Sequence, residues 1–259
     1  MRKILRGALP AAIISLGLAM GSVPAEQAFA AGSAAYKAKT LTAAQLLDKQ
    51  GQAIVFIFKS IKALPKNKRG KSAPLLKALA AAAKDLKAVR AAAAAKNDKK
   101  LAAALPQLSS SIAQVKLTYS ISGIKSKDAK IGVDTLDKAW TDYLKRVKGG
   151  KAANAKEMAQ KNGRRLNDMR HRLNKMASNP KISREQKKEL KRLQALLDRA
   201  ERLNRNANDQ WQTVYLIADF NGYYSGYNDW YAAYDPQYYT YYRDSRDYFE
   251  QSSSYFYTE

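Results

Sequence analysis

Cysteine is absent from the 259 residues, and histidine occurs once, at His171. Without cysteine there are no disulfides, so packing alone must hold the fold. A lipid anchor through an N-terminal cysteine is excluded as well. A zinc site would have to be built mostly from carboxylates. Any Cys–His or Ser–His–Asp nucleophile could use only His171, which stands between Arg170 and Arg172 with nothing local to position it. No glycine-rich loop precedes a helix in a phosphate-cradling pattern. Asp219-Phe220-Asn221-Gly222 begins as a calcium loop does, but the later ligands and the terminal Glu are missing at the required spacing. Asp134, Asp137 and Asp142 could pair in a cleft, yet their spacing is that of solvated charge pairs along a helix. No catalytic, cofactor-binding or metal residue is assigned, and the chain is not expected to be an enzyme.

Long apolar runs are also scarce. Beyond the N-terminal segment the longest is Ala53 to Phe58, six residues followed by Lys59. The N-terminal segment itself reads as an export signal. Arg2, Lys3 and Arg6 precede the apolar stretch Ala8–Val23, and Ala28-Phe29-Ala30 supplies small residues for cleavage after Ala30. The alternative is an uncleaved anchor, although an apolar run of about 16 residues is short of the ~20 a spanning helix prefers. No transmembrane span is expected after cleavage. The mature protein is expected in the periplasm, or in an extracellular or wall-associated location.

Acidic residues are the third shortage. From Ala31 to Ala207 there are 41 Lys/Arg against 13 Asp/Glu, a net charge of +28. From Asn208 to Glu259 the balance reverses, 2 against 8. So strong an excess of one sign favours polyanionic partners. For an exported chain these are anionic envelope polymers, lipid headgroups or acidic proteins; nucleic acid enters only outside the cell. The plainer reading is that Lys and Arg solvate exposed helix faces.

What is present is helical periodicity. Thr42 and Gln45 form a capping box that opens a helix to about Leu64. Ser72 caps a second helix, with Pro74 in its first turn. A third starts at Asn97-Asp98; Pro106 either kinks it or marks its true start. After a linker from Tyr119 to Lys130, a fourth carries Val133, Leu136, Trp140, Tyr143 and Leu144 and ends at Gly149-Gly150. A fifth spans about Ala153 to Ala177. A second capping box, Ser183 with Gln186, opens the longest helix. Its seam Leu193, Leu196, Ala200, Leu203, Ala207, Gln210, Val214, Ile217 steps by three and four, which gives a rod of roughly 50 Å. With the fifth helix it should make an antiparallel, coiled-coil-like hairpin. The expected fold is all-α: an elongated helical bundle with a low-complexity C-terminal tail. Its divisions are the signal (1–30), an Ala/Leu-rich three-helix segment (31–120), a basic helical segment (121–218) and an acidic Tyr-rich tail (219–259) expected to be disordered.

Leu41-Thr42-Ala43-Ala44-Gln45 matches the Leu-Thr-x-x-Gln motif of the Spy/CpxP-type periplasmic chaperones. Ile182-Ser183-Arg184-Glu185-Gln186 is a looser second copy. The resemblance implies a small, all-α, exported protein that shields clients on a basic surface. An ordinary capping box with an apolar residue before it gives the same residues.

Thirteen of the 16 tyrosines lie between Tyr215 and Glu259. In the tail, Tyr223, Tyr224, Tyr227, Trp230, Tyr231, Tyr234, Tyr238, Tyr239, Tyr241 and Tyr242 are candidate contacts for self-association or for a partner, because tyrosine offers rigid contact area at low entropy cost. The same rings could instead fold back on the basic helices. Arg164, Arg165, Arg170, Arg172, Lys187, Lys188, Lys191 and Arg192 are the candidate polyanion contacts. The expected function is an exported, non-enzymatic envelope or matrix protein that binds polyanionic surfaces through these helices and self-associates through its tail. The alternative is a helical periplasmic chaperone of the Spy/CpxP type.

Overall fold

The computed structural model describes residues 41–147, 155–178, 180, 184–206 and 210–234. The signal segment with its cleavage site, Gly149-Gly150, the Ser183 cap and Tyr238 to Tyr242 lie outside the described residues. Within them the fold is an all-α bundle of seven helices packed on one another, without strands. They are α1 (Ala43–Ala63), α2 (Ala73–Ala94), α3 (Asp98–Ile121), α4 (Lys127–Arg146), α5 (Ala155–Ala177), α6 (Arg184–Asn204) and α7 (Gln210–Tyr234).

Helix starts follow side-chain chemistry in most places. The Thr42 hydroxyl accepts from the Gln45 amide at 3.2 Å, and Gln45 Oε1 accepts from the Thr42 amide at 2.8 Å, closing the expected box. Asn97 caps α3 by accepting from Lys100 N, and Ser126 caps α4 by accepting from Ala129 N. Ser72 differs from expectation: its backbone is already helical and its side chain makes no cap bond, so Pro74 alone marks that start. Pro106 neither ends nor begins α3, which runs through it with the proline buried.

Helices α1 to α4 form one group: α1 packs on α2 and α4, and α3 on α2 and α4. Ile57, Ile61, Leu79, Leu86, Leu108 and Leu136 are among its fully buried side chains. Helix α4 thus belongs with the first three helices rather than with the basic segment that follows it in sequence. Helices α5, α6 and α7 pack on one another as a second group, and α7 joins the two by lying along α3.

Two expectations fail here. The rod expected from Ser183 to Ile217 is two helices. Asn206 N donates to Leu203 O, tightening the end of α6. Gln210 then turns its side chain back to donate to Asn204 O at 2.9 Å and Asn206 O at 3.1 Å, occupying carbonyls that a continuing helix would use. Asn162 of α5 donates to Gln210 Oε1 at 3.0 Å, and Asn204 donates to Ala159 O at 3.0 Å. Gln210 looked like a polar position in a heptad seam; it is the fastening of a hairpin.

The second correction concerns the tail. Its first part is helical and lies in the core: α7 continues to Tyr234, and Phe220, Tyr223, Tyr224 and Tyr227 are buried. Asp219, Gly222, Gly226 and Asp229 step three-four-three along one side of the helix and meet α3. A Cβ added at Gly222 would collide with the backbone carbonyl of Ser110, and one at Gly226 would come within 2.8 Å of Leu117. Each glycine costs a helix interior up to ~1 kcal/mol relative to Ala. That cost is offset because only glycine lets the two helix backbones approach so closely. Another side of α7 carries Phe220, Tyr224 and Tyr227 into a core shared with Leu166, Met169 and Leu173 of α5 and Leu193 and Leu197 of α6.

Candidate functional site

Under the α6–α7 hairpin runs a polar seam built by α3, α4 and α7. Ser109 of α3 donates to Asp219 Oδ1 at 2.6 Å and accepts from Trp140 Nε1 of α4 at 3.2 Å. Lys116 of α3 pairs with Asp137 of α4 at 2.8 Å. Burial of the Asp219 carboxyl pushes its pKa up to about 7, against the opposing pull of the Ser109 hydrogen bond, Lys116 and Arg199. Burial also raises the Tyr215 phenol to about 12, and its ring meets Trp140 edge-on at 6.5 Å. At Lys116 burial lowers the pKa, but Tyr223, Asp137 and Asp219 outweigh it and the net direction is upward. These groups fasten α3, α4 and α7 together, with Ser109 holding Asp219 Oδ1.

Farther along α7, Asp229 accepts from Lys77 of α2 and from Gln114 of α3, both at 2.7 Å. On α2, Asp85 accepts from Ser111 at 2.5 Å, and burial raises its pKa. Asp134 and Asp142 make i,i+4 and i,i+3 pairs with Lys130 and Lys145, while Asp137 reaches across to α3. Asp219 to Gly222 is mid-helix, not a loop, and no group of three or more potential metal-ligating side chains occurs among the described residues. His171 is exposed.

The candidate polyanion contacts divide. Arg164, Lys187, Lys188, Lys191 and Arg192 are exposed. Arg170 is engaged: it donates to Glu201 at 2.9 Å and Asp198 at 2.6 Å, tying α5 to α6. Arg165 is half-buried and has its own interactions. The side chain of Arg172 is outside the described residues. Arg192 lies over the ring of Tyr223, with its guanidinium carbon 5.0 Å from the centroid.

Sequence reasoning missed part of this face. Arg184, Arg199 and Arg202 are also exposed on α6, and Arg205 just beyond its end. Lys188, Arg192, Arg199 and Arg202 recur at +4, +11 and +14, spacings that return to one side of a helix. That signal was available in the charge periodicity. The candidate tail contacts divide as well. Tyr223, Tyr224 and Tyr227 are core residues and offer no surface. Trp230, Tyr231 and Tyr234 are half-buried, and the Lys71 ammonium lies 5.0 Å above the rings of both Trp230 and Tyr234.

No family model, no curated protein and no solved structure matches the chain. The Leu-Thr-x-x-Gln motif has a complete local account in the capping box of α1. Among the described residues no helix is long and apolar enough to cross a membrane.

Proposed function

We propose that the chain is an exported, non-enzymatic protein of the cell envelope or extracellular matrix that binds polyanionic surfaces through the exposed Lys/Arg face of α6, together with the exposed Arg164 of α5. The observation that carries the reading is the composition of that face. Arg184, Lys187, Lys188, Lys191, Arg192, Arg199 and Arg202 are exposed along α6 and Arg205 just beyond it, and Asp198, the exposed acid among the described side chains of this helix, is paired with Arg170. Solvation alone asks for charge of either sign; an excess of one sign lowers stability by self-repulsion and draws in counter-charge. Export rests on the sequence of the first 30 residues. Ile131 is the one large apolar side chain exposed among the described residues, so nothing on the described surface favours the chaperone alternative.

The test is association of the mature protein with the anionic surface of its own cells at rising salt. Screening shortens to about 3 Å at 1 M. Release at that concentration supports the reading, and full retention contradicts it.

A further inference from the structure

Residues 235–259 follow directly on α7 and carry Asp235, Asp244, Asp247, Glu250 and Glu259 against Arg243 and Arg246. The hairpin fixes where this segment starts. Arg192 packs on Tyr223, while Gln210, at the start of α7, bonds Asn204 O, at the end of α6. Helix α7 therefore runs antiparallel to α6, and Tyr234 lies toward the Arg184 end. From there 25 residues can reach up to ~80 Å when extended, whereas α6 is about 30 Å long. The segment starts at one end of the basic face and has ample length to follow it.

Charge is complementary, and the described structure already uses the chemistry that such docking needs. A cation lies over an aromatic ring of α7 at Arg192–Tyr223 and again at Lys71 over Trp230 and Tyr234. Tyr238, Tyr239, Tyr241 and Tyr242 continue the same composition beyond α7. We infer that residues 235–259 dock on the exposed basic face of α6 in the same molecule, around Arg184, Lys187, Lys188, Lys191, Arg199 and Arg202. There they act as an internal polyanion mimic that competes with the external one. This rests on the proposed function for its regulatory meaning, but the docking itself does not.

The experiment uses two mature chains, one complete and one ending at Tyr234, with heparin as the polyanion probe and a synthetic, fluorescently labelled 235–259 peptide. The peptide should bind the chain ending at Tyr234 with one-to-one stoichiometry. Binding should be lost when Lys187, Lys188 and Lys191 are changed to Gln, and kept when Lys84, Lys87 and Lys99 are changed instead. No peptide binding, or equal loss in both sets, overturns the inference whatever heparin does. Heparin affinity should be about tenfold higher for the shortened chain, as removal of a competitor at millimolar effective concentration implies. Changing Tyr238, Tyr239, Tyr241 and Tyr242 to Ser in the complete chain leaves net charge unaltered and should recover most of that gain. If it recovers none, bulk charge explains the difference and ring docking is wrong. Heparin binding by neither chain, with peptide binding intact, sinks the proposed function and leaves the docking standing. A complete chain whose mass in solution rises with concentration, while the shortened chain stays monomeric, places the segment on a neighbouring molecule and contradicts the intramolecular form.

Discussion

Gly222 of α7 faces the carbonyl oxygen of Ser110 on α3 so closely that even a methyl group at its α-carbon has no room. One glycine thereby turns a stretch with the composition of a low-complexity tail into the helix that joins two halves of a bundle. Gly222→Ala should destabilise the protein by about 3 kcal/mol, because the obstacle is backbone and cannot swing aside. Gly163 in α5 is the control: a Cβ there meets only Asn204 Nδ2, at 3.4 Å. Gly163→Ala should stabilise by about 0.5–1 kcal/mol through helix propensity. Urea denaturation of both variants checks the pair, and similar effects of the two would contradict the packing described.

Truncation separates core from appendage. A chain ending at Asn206 loses Phe220, Tyr223, Tyr224 and Tyr227, four aromatic residues of the α5–α6–α7 core. Each buried side chain of that size contributes about 1.5–3 kcal/mol. This chain should lose its cooperative thermal transition. A chain ending at Tyr234 should keep a cooperative transition and melt no more than about 6 °C below the complete one, the ~1.4 kcal/mol that a tenfold docking effect implies. Calorimetry on the two chains would refute the assignment if both melted alike.

Stability should carry the signature of Asp219. Its folded pKa is raised to about 7 from an ordinary 3.8. Between those values the folded chain holds a proton that the unfolded chain has released. The contribution of this group is therefore fully present below pH 4 and is lost as pH rises through 7. Asp219→Asn keeps an acceptor for Ser109 and removes the charge. The variant should match the parent near pH 4 and exceed it by about 1–2 kcal/mol at pH 8, a figure discounted because Asp219 keeps some contact with water. Denaturation midpoints at the two pH values decide it; a variant that is weaker at pH 8 would mean the carboxylate is a stabilising charge.

Lys96 offers a smaller gain. It follows α2 with φ of 49°, while Asn97 N bonds Ala92 O and Lys96 N bonds Ala93 O. This is a helix terminus that glycine usually occupies. Lys96→Gly should raise stability by about 0.5–1 kcal/mol in a thermal melt, and a loss would show that the lysine side chain contributes there.

Much of the fold is legible where local chemistry and packing agree. Thr42 and Gln45 state the start of α1, and the Leu and Ile spacing of α1 and α2 states which side is buried. Misreading begins where tertiary contact decides. Pro106 stays inside α3 because neighbouring helices enclose it. Gln210 fits a heptad by spacing, yet bonds backward to close a hairpin. Gly222, Gly226 and the tyrosines of α7 look like a flexible polar-aromatic tract until α3 is placed beside them. The basic face was half legible. Charge spacing finds Lys187, Lys188, Lys191 and Arg192, and the same spacing extends to Arg199 and Arg202. Only structure removes Arg170 from it, by showing Asp198 and Glu201 against that guanidinium.

The most direct test of the account is a matched pair of fourfold variants with equal net charge. One changes Lys187, Lys188, Lys191 and Arg202 on α6 to Gln; the other changes the exposed Lys84, Lys87, Lys99 and Lys100 of α2 and α3. Heparin affinity is measured for both across a salt series. The account predicts a loss of at least about tenfold and a shallower salt dependence for the α6 set, with a much smaller change for the other. Equal losses would mean that total charge, rather than this face, holds the polyanion, and would contradict the central claim.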